Sequence, residues 1–202
     1  MAYTNFKIVA ISWPEFFPGE AALINDLFGA GLHLLHVRKP NADPGCVAAL
    51  LRDVDPRFRS RLAIHYFPAL ADSFALGGLH LSGGRFSRPA GWGGRLSASC
   101  HSFSEVQTAL VAGADYVFIS PVFDSLSKCG YLSAFSTADL LAARSNGLID
   151  SRVVALGGVT PARLPLLASL GFGGAAFLGW LWGDLQPAGV VSRLADIQSA
   201  LS

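Results

Sequence analysis

The residues best suited to chemistry lie in one segment, residues 97–130, which reads SASCHSFSEVQTALVAGADYVFISPVFDSLSKCG. Within it, residues 115–119 have the apolar character of a buried parallel strand, and Ser125, Ser127 and Lys128 follow shortly after. Hydroxyls, free backbone N–H groups and an ammonium group together bind anions well. The segment therefore predicts an anion site in the loop after a strand.

Strand and helix patterns alternate along the whole chain. Short apolar strands are predicted over residues 6–11, 32–37, 62–65, 78–81, 96–98, 115–119, 152–156 and 174–178. Helices are predicted over residues 19–30, 44–54, 68–76, 137–144, 160–170 and 188–201, with a further one that is capped by Ser102 or Ser104 and ends at Ala112. The glycine-rich residues 82–94 are predicted as a loop without a full helix. This order favours a single α/β domain over residues 1–202, a (β/α)8 TIM barrel, with a doubly wound sheet as the alternative.

The predicted strand ends carry most of the candidate functional groups. In (β/α)8 barrels such groups gather at the carboxyl ends of the strands, and phosphate commonly binds after strands seven and eight. Gly157 and Gly158 follow the seventh predicted strand, and Leu178 and Gly179 stand at the end of the eighth. The other strand-end groups are His36, Arg38, Lys39, His65, His80, Ser99 and His101. Together they predict a cationic, donor-rich mouth for a phosphorylated small molecule.

Several of these residues also have a purely structural interpretation. His80 lies between leucines, where a hydrogen-bonded core histidine is as good an explanation as a catalytic one. Arg38 and Lys39 can equally form a solvated strand end, and Cys100 is more simply buried packing. The spacings of the histidines match no metal-ligand motif, so no metal site is predicted.

Composition excludes several classes of function. The chain has 202 residues, 51% of them hydrophobic and 14% charged, with a formal net charge of +1. That balance argues against a nucleic-acid or membrane surface, and no apolar run is long enough to span a bilayer. The 3 cysteines lack paired metal-type spacing. We therefore expect a cytoplasmic protein with reduced thiols.

The order and spacing of five motifs resemble the thiamine-phosphate synthase and TenI family over nearly the whole chain. The most specific is GADYVFISPVFDSLSKCG, which is similar to the family's Gly-Pro-Val-Phe-x-Thr-x-Thr-Lys-x-Gly segment. The others are HVRK, GGLHLSG and VVALGGVTP, and Ser99 with His101 resembles the family's Ser-x-His. The resemblance implies a (β/α)8 barrel in thiamine biosynthesis. Its synthases join an aminopyrimidine diphosphate to a thiazole phosphate and release diphosphate, and TenI-type tautomerases isomerise a thiazole carboxylate phosphate.

By position, the resemblance assigns most of the predicted groups to the two phosphorylated ligands. Ser125 and Ser127 stand where the family uses threonine hydroxyls on the thiazole phosphate. The backbone N–H groups of Gly158, Leu178 and Gly179 would bind the same phosphate, whereas Lys128, Arg38 and Ser99 match residues that hold the diphosphate. His36 stands where the family has a substrate-contacting glutamine.

The chain departs from the family at the groups that carry catalysis. Mg²⁺ is the cofactor that the resemblance implies, but Tyr66 and Arg85 stand at the positions of its two carboxylate ligands. The tautomerase histidine is replaced by Pro121. These departures leave four alternatives: a synthase, a tautomerase in which His101, His80 or His65 replaces the missing histidine, a non-catalytic ligand sensor, or a different phosphate-handling barrel enzyme. Thiazole phosphate and a pyrimidine diphosphate are the expected partners, and a homodimer is possible.

Overall fold

Eight parallel strands close into a barrel in chain order. The structure is a computed structural model that describes residues 5–81, 86–124, 133 and 135–202. The strands are β1 (Lys7–Ile11), β2 (Leu34–Val37), β3 (Leu62–Ile64), β4 (Gly78–Leu81), β5 (Arg95–Cys100), β6 (Tyr116–Ile119), β7 (Val153–Ala155) and β8 (Gly174–Phe177). Because β1 pairs with β8, the sheet has no free edge. The predicted (β/α)8 barrel is confirmed, and the open doubly wound alternative is wrong.

The helices follow the strands on the outside of the barrel. They are α1 (Glu20–Gly29), α2 (Pro44–Asp53), α3 (Pro68–Ser73), α4 (Phe103–Val111), α5 (Thr137–Ser145), α6 (Leu164–Ser169), α7 (Gly179–Trp182) and α8 (Pro187–Ser199). Short 3-10 helices cover Pro56–Arg61 and Pro161–Arg163. In the part of the chain that is described, no helix combines the length and the apolar character needed to cross a bilayer.

The predicted helices differ from the observed ones mainly where proline or a strained residue intervenes. The helix predicted over 160–170 is a 3-10 turn followed by α6, because Pro165 has no N–H with which to continue an α-helical ladder. The helix predicted over 68–76 ends at Ser73, and Ala75 beyond it has a φ of 52°. Gly179 begins a short helix that the sequence did not predict.

Side-chain caps define where several helices begin. The Ser102 hydroxyl accepts a hydrogen bond from the Glu105 N–H and so caps α4, which confirms one of the two predicted caps. Ser136 and Asp139 form a reciprocal capping box at the start of α5. The Asp43 carboxylate accepts from the Gly45 N–H ahead of α2. These local signals orient the helices against the barrel.

Two apolar layers pack on opposite faces of the sheet. The larger one lies between the strands and the surrounding helices. The smaller one fills part of the barrel interior, where strand residues two apart point to the same side. Its buried members are Val9, Ile11, Tyr116, Phe118, Val154 and Ala176. The inward-facing positions of β2, β4 and β5 also include the polar side chains of His36, His80, Ser97 and Ser99.

The end of β2 is buried rather than solvated. Lys39 has 0% of its side chain exposed, and its Nζ donates to both carboxylate oxygens of Glu20, at 2.6 and 2.8 Å. The same ammonium donates to the carbonyls of Trp13 and Glu15 at 2.8 and 2.9 Å. The solvated interpretation of Lys39 is therefore wrong: the lysine ties the β1–α1 connection to the end of β2.

Candidate active site at the carboxyl ends of the strands

A cavity of about 420 Å³ opens at the carboxyl ends of the strands. Four residues predicted from the sequence line it, namely Arg38, His65, His80 and Ser99. The remaining lining residues are Ile11, Ile64, Tyr66, Pro68, Leu79, Leu81, Phe118 and Leu156. The cavity is thus an apolar chamber with one guanidinium, two imidazoles and two hydroxyl groups, which suits a small anionic ring compound.

Three histidines meet beside this cavity: His65 and His80 line it, whereas His36 is fully buried next to them. His36, His65 and His80 have 0%, 9% and 7% of their surface exposed, respectively. Nδ1 of His36 lies 3.1 Å from Nε2 of His65. The His65 and His80 rings stack with centroids 4.0 Å apart and an interplanar angle of 24°. The sequence placed these histidines at separate strand ends, and the barrel closure brings them into one cluster.

His80 is held between two serine hydroxyls. Its Nδ1 lies 2.8 Å from Ser97 Oγ and its Nε2 lies 2.8 Å from Ser99 Oγ. The Ser97 hydroxyl also donates to the Leu79 carbonyl at 3.3 Å. A hydroxyl has one proton, so in this arrangement Ser97 accepts from the His80 Nδ1–H. The neutral His80 ring then presents the lone pair of Nε2 towards Ser99 and the cavity.

His36 connects the cluster to the barrel interior. Its Nε2 lies 2.6 Å from the Tyr116 hydroxyl, and its Nδ1 contacts His65. The ring also packs against Phe118 at a centroid distance of 4.7 Å. Tyr116, His36 and His65 therefore form a hydrogen-bonded chain from the interior to the cavity.

Burial keeps all three imidazoles neutral. Removal from water lowers the pKa of His36 and of His65 well below the ordinary value, and it lowers the pKa of His80 to about 3. The positive charge of Arg38 adds to the effect on His65 and His80. Burial also raises the pKa of Tyr116 to about 12. At neutral pH the site therefore offers neutral imidazole donors and acceptors.

Arg38 supplies the positive charge of the cavity. Its backbone is held by Ser12, whose Oγ accepts from the Arg38 N–H at 2.8 Å. Within the described part of the chain, no carboxylate lies within ion-pair distance of its guanidinium. The guanidinium is thus available for an anionic group that enters the cavity.

The loop that follows β7 (the β7 loop) packs closely against the start of the loop that follows β6 (the β6 loop). Gly157 and Gly158 have φ values of 90° and 62°. A Cβ at Gly158 would overlap the carbonyl oxygen of Asp124, so glycine is required there for both conformation and space. Arg163 Nη1 donates to the Gly158 carbonyl at 2.5 Å. Gly158 therefore lies directly beside the residue that precedes Ser125.

The other predicted site residues lie outside the cavity or outside the described part. Leu178 precedes α7 and packs against the inner apolar layer, and Gly179 begins that helix. His101 is exposed, and its Nδ1 pairs with the Ser120 carbonyl at 2.9 Å. Ser125, Ser127 and Lys128 fall within residues 125–132, outside the described residues.

Sequence reasoning missed two residues of the polar interior, Tyr116 and Ser97. Both lie on strands that were predicted from the sequence. The two-residue period places Tyr116 on the same face as Phe118, and Ser97 on the same face as Ser99. That alternation was the available signal, but it does not show which strands lie opposite one another across a closed barrel.

Mg²⁺ does not fit the side chains that line this cavity. The described lining residues contain imidazoles, hydroxyls and a guanidinium but no carboxylate. Mg²⁺ prefers carboxylate and other hard oxygen ligands. At the first of the two carboxylate positions, Tyr66 lines the cavity with 53% of its surface exposed. The second position, Arg85, lies outside the described residues.

A second cavity, of about 450 Å³, lies between α1 and α2. Its lining includes Phe16, Asn25, Ala49 and Asp53 but none of the predicted site residues. The cavity at the strand ends therefore remains the candidate active site, because it gathers the cation, the imidazoles and the hydroxyl.

Comparisons with known proteins show the family to which the chain is similar. A family model described as thiamine monophosphate synthase matches residues 19–180. The thiamine-phosphate synthase of Escherichia coli O9:H4 (strain HS) is 31% identical over 167 residues, covering 76% of each chain. The crystal structure of thiamine phosphate pyrophosphorylase from Bacteroides thetaiotaomicron has a TM-score of 0.84 and 32% identity, with 96% of each chain covered. A thiamine phosphate pyrophosphorylase from Pyrococcus furiosus has a TM-score of 0.78 at 17% identity, covering 98% of this chain and 96% of its own. At that identity it bears on the fold alone.

Proposed function

The chain belongs to the thiamine monophosphate synthase family, and from that membership we propose that it couples a hydroxymethylpyrimidine diphosphate with a thiazole phosphate. Membership supports a role in thiamine biosynthesis. In the proposed reaction the thiazole nitrogen forms a bond to the pyrimidine methylene carbon. The bond from that carbon to the diphosphate oxygen breaks, and diphosphate leaves with the electron pair.

One observation carries the proposal: Arg38 and Ser99 line the same cavity although they stand on β-strand ends far apart in sequence. Both match family residues that hold the diphosphate. The guanidinium would balance charge as diphosphate leaves, and the Ser99 hydroxyl would donate a hydrogen bond to a diphosphate oxygen. Lys128 would add a second positive charge from the β6 loop.

The thiazole phosphate is proposed to bind on the side of β6 to β8. Its donors would be the hydroxyls of Ser125 and Ser127 and the backbone N–H groups of Gly158, Leu178 and Gly179. The contact between Gly158 and Asp124 supports this arrangement, because it brings the β7 loop next to the start of the serine-containing loop. The apolar wall formed by Ile11, Phe118 and Leu156 suits the aromatic rings of both substrates.

The histidine cluster favours a second candidate, a TenI-like thiazole tautomerase. Proton transfer to a ring carbon or a carboxylate needs a positioned acid or base. His65 and His80 line the cavity, whereas His101 does not. Because burial keeps both lining rings neutral, they would act as the base that takes the proton. The hydrogen-bonded Tyr116–His36–His65 chain offers a route by which the proton could be replaced.

The test compares both reactions with binding in the same preparation. Thiamine phosphate formation from the two substrates and isomerisation of the thiazole carboxylate phosphate are assayed separately, and thiazole phosphate binding is measured by calorimetry. Arg38→Gln should abolish coupling and leave thiazole phosphate binding intact, whereas His33→Asn, at an exposed histidine outside the cavity, should match the wild type. Isomerisation without coupling would favour the tautomerase. Binding with neither reaction would overturn both enzymes and leave the ligand-sensing alternative.

A further inference from the structure

We propose that His36, His65 and His80 bind one first-row transition metal ion of the Zn²⁺ class beside the cavity. This goes beyond the proposed reaction, in which these three histidines were assigned no metal. The sequence predicted no metal site, because no pair of these histidines has ligand-motif spacing. Barrel closure nevertheless brings the three rings together. His36 lies on β2, His65 directly follows β3 and His80 lies on β4, and these three strands are neighbours in the barrel.

The distances suit a single ion. One ring nitrogen from each histidine lies within 4.8 Å of the other two, and the His36–His65 pair is 3.1 Å apart. Ligands about 2.0–2.1 Å from a tetrahedral ion lie about 3.4 Å from one another. The His36–His65 pair is already near that spacing, and the His80 nitrogen lies within 4.8 Å of both.

Two of the three histidines already have, on the ring nitrogen that faces away from the cluster, the kind of partner that metal-bound histidines usually have. His36 Nε2 lies 2.6 Å from the Tyr116 hydroxyl, and His80 Nδ1 lies 2.8 Å from Ser97 Oγ. Hydrogen bonds of this kind fix the tautomer so that the opposite nitrogen keeps its lone pair for the metal. The Ser97–Leu79 bond leaves His80 Nε2 with that lone pair, which the ion would take over from the Ser99 hydroxyl 2.8 Å away.

The donor set selects the class of ion. Three neutral imidazoles suit Zn²⁺, Cu²⁺ or Ni²⁺, whereas Mg²⁺ and Ca²⁺ require oxygen ligands. His65 and His80 line the cavity, so the fourth coordination position faces it. The Arg38 charge acts on His65 and His80 and would repel the ion unless an anion is present. The fourth ligand would therefore be an anionic group, a carboxylate or a phosphate, bound between the metal and Arg38.

The experiment measures metal binding directly, without substrate. The chelator-treated wild-type protein is titrated with Zn²⁺ by competition with a chromophoric chelator, and with Co²⁺ by visible absorption. One ion per chain is expected, with the strong visible bands of a tetrahedral Co²⁺ complex. His65→Gln and His80→Gln should each lower the affinity for Zn²⁺ by at least about 100-fold. Loss of a residue that only hydrogen-bonds to a metal ligand lowers metal affinity less, by about 10- to 100-fold. The matched control His33→Asn keeps an acceptor for the Ile8 N–H and should bind as the wild type does.

A second measurement does not depend on whether the variants fold. Addition of Zn²⁺ to the wild-type protein should shift the imidazole NMR resonances of His36, His65 and His80 and leave those of His33 and His101 unchanged. Failure of the wild type to bind one ion, equal affinities in both glutamine variants and the wild type, or shifts confined to His33 or His101 would each overturn the proposal. Because no substrate is present, none of these results depends on the proposed coupling reaction.

Discussion

Ser99 Oγ lies 2.8 Å from Nε2 of His80, so the hydroxyl expected to hold a diphosphate already has a partner within the chain. A serine hydroxyl has one proton and can donate it to only one acceptor at a time. Ligand binding at Ser99 would therefore transfer this hydrogen bond from the imidazole to the ligand. This hydroxyl is thus one link between a bound ligand and the histidine cluster.

The first prediction concerns that hydroxyl. Ser99→Ala should weaken binding of the pyrimidine diphosphate by about 5- to 13-fold, the effect of one hydrogen bond of about 1–1.5 kcal/mol. Thiazole phosphate affinity should not change, because its proposed donors lie elsewhere. Calorimetry with each ligand checks this, and Ser169→Ala on the surface of α6 is the control. An unchanged diphosphate affinity in Ser99→Ala would show that this serine does not contact the ligand.

The second prediction concerns stability and pH. Burial lowers the pKa of His80 from 6.5 to about 3, so between these values the unfolded chain binds a proton that the folded protein does not. The free energy of unfolding must then fall as the pH drops below about 6.5. Replacement of the imidazole in His80→Gln should flatten this dependence by up to about 1.4 kcal/mol per pH unit.

Urea unfolding between pH 7 and pH 5 measures this slope, above the range in which the lowered pKa values of Asp55 and Asp139 matter. Gln107→Ala, on the exposed face of α4, should keep the wild-type slope. Parallel slopes for the wild type and His80→Gln would mean that His80 titrates alike in the folded and unfolded states.

The third prediction concerns the buried ion pair. Lys39→Met should destabilise the protein by about 3–5 kcal/mol, because it leaves the Glu20 carboxylate buried without its partner. Adding Glu20→Leu should restore part of this loss, since both charges are then gone. Arg152→Ala, which breaks an ion pair whose side chains are 50% and 35% exposed, should cost less than about 1 kcal/mol. Chemical denaturation compares the three, and equal losses for Lys39→Met and Arg152→Ala would contradict the buried pair.

The fourth prediction concerns phosphate recognition. Thiazole phosphate should bind at least about tenfold more tightly than the unphosphorylated thiazole alcohol, a difference of about 1.4 kcal/mol. Gly158→Ala should remove this preference, because the added methyl displaces the loop at Asp124. Gly93→Ala has open space around its new methyl and should retain the preference. If the wild type binds the two thiazoles with equal affinity in calorimetry, the protein has no phosphate site of the proposed kind.

The fifth prediction concerns Mg²⁺. The described cavity residues include no carboxylate, so the affinity for the pyrimidine diphosphate should be the same with and without millimolar Mg²⁺. Calorimetry with and without Mg²⁺ measures the two affinities. A clear gain with Mg²⁺ would show that carboxylates such as Asp72 or Asp124 rebuild a metal site, and alanine variants at those two positions would then locate it.

The fold followed from the sequence because its signals are local. Apolar strands, helix caps and glycine stops recur in alternation, and each depends on residues close together in the chain. Errors occurred where local sequence was ambiguous: Pro165 breaks one helix into two parts, and α7 has only 4 residues, too few for a periodic pattern.

The sequence by itself determined the barrel, the family and the strand ends that carry Arg38, His65, His80 and Ser99. Only the tertiary structure decided that His36, His65 and His80 share one cluster, that Tyr116 and Ser97 hold its outer nitrogens, and that Lys39 is buried against Glu20. The reason is that strand pairing and barrel closure bring together residues that are far apart in the chain. Side-chain spacing along one strand shows which way a residue points, but the residues it meets come from other strands.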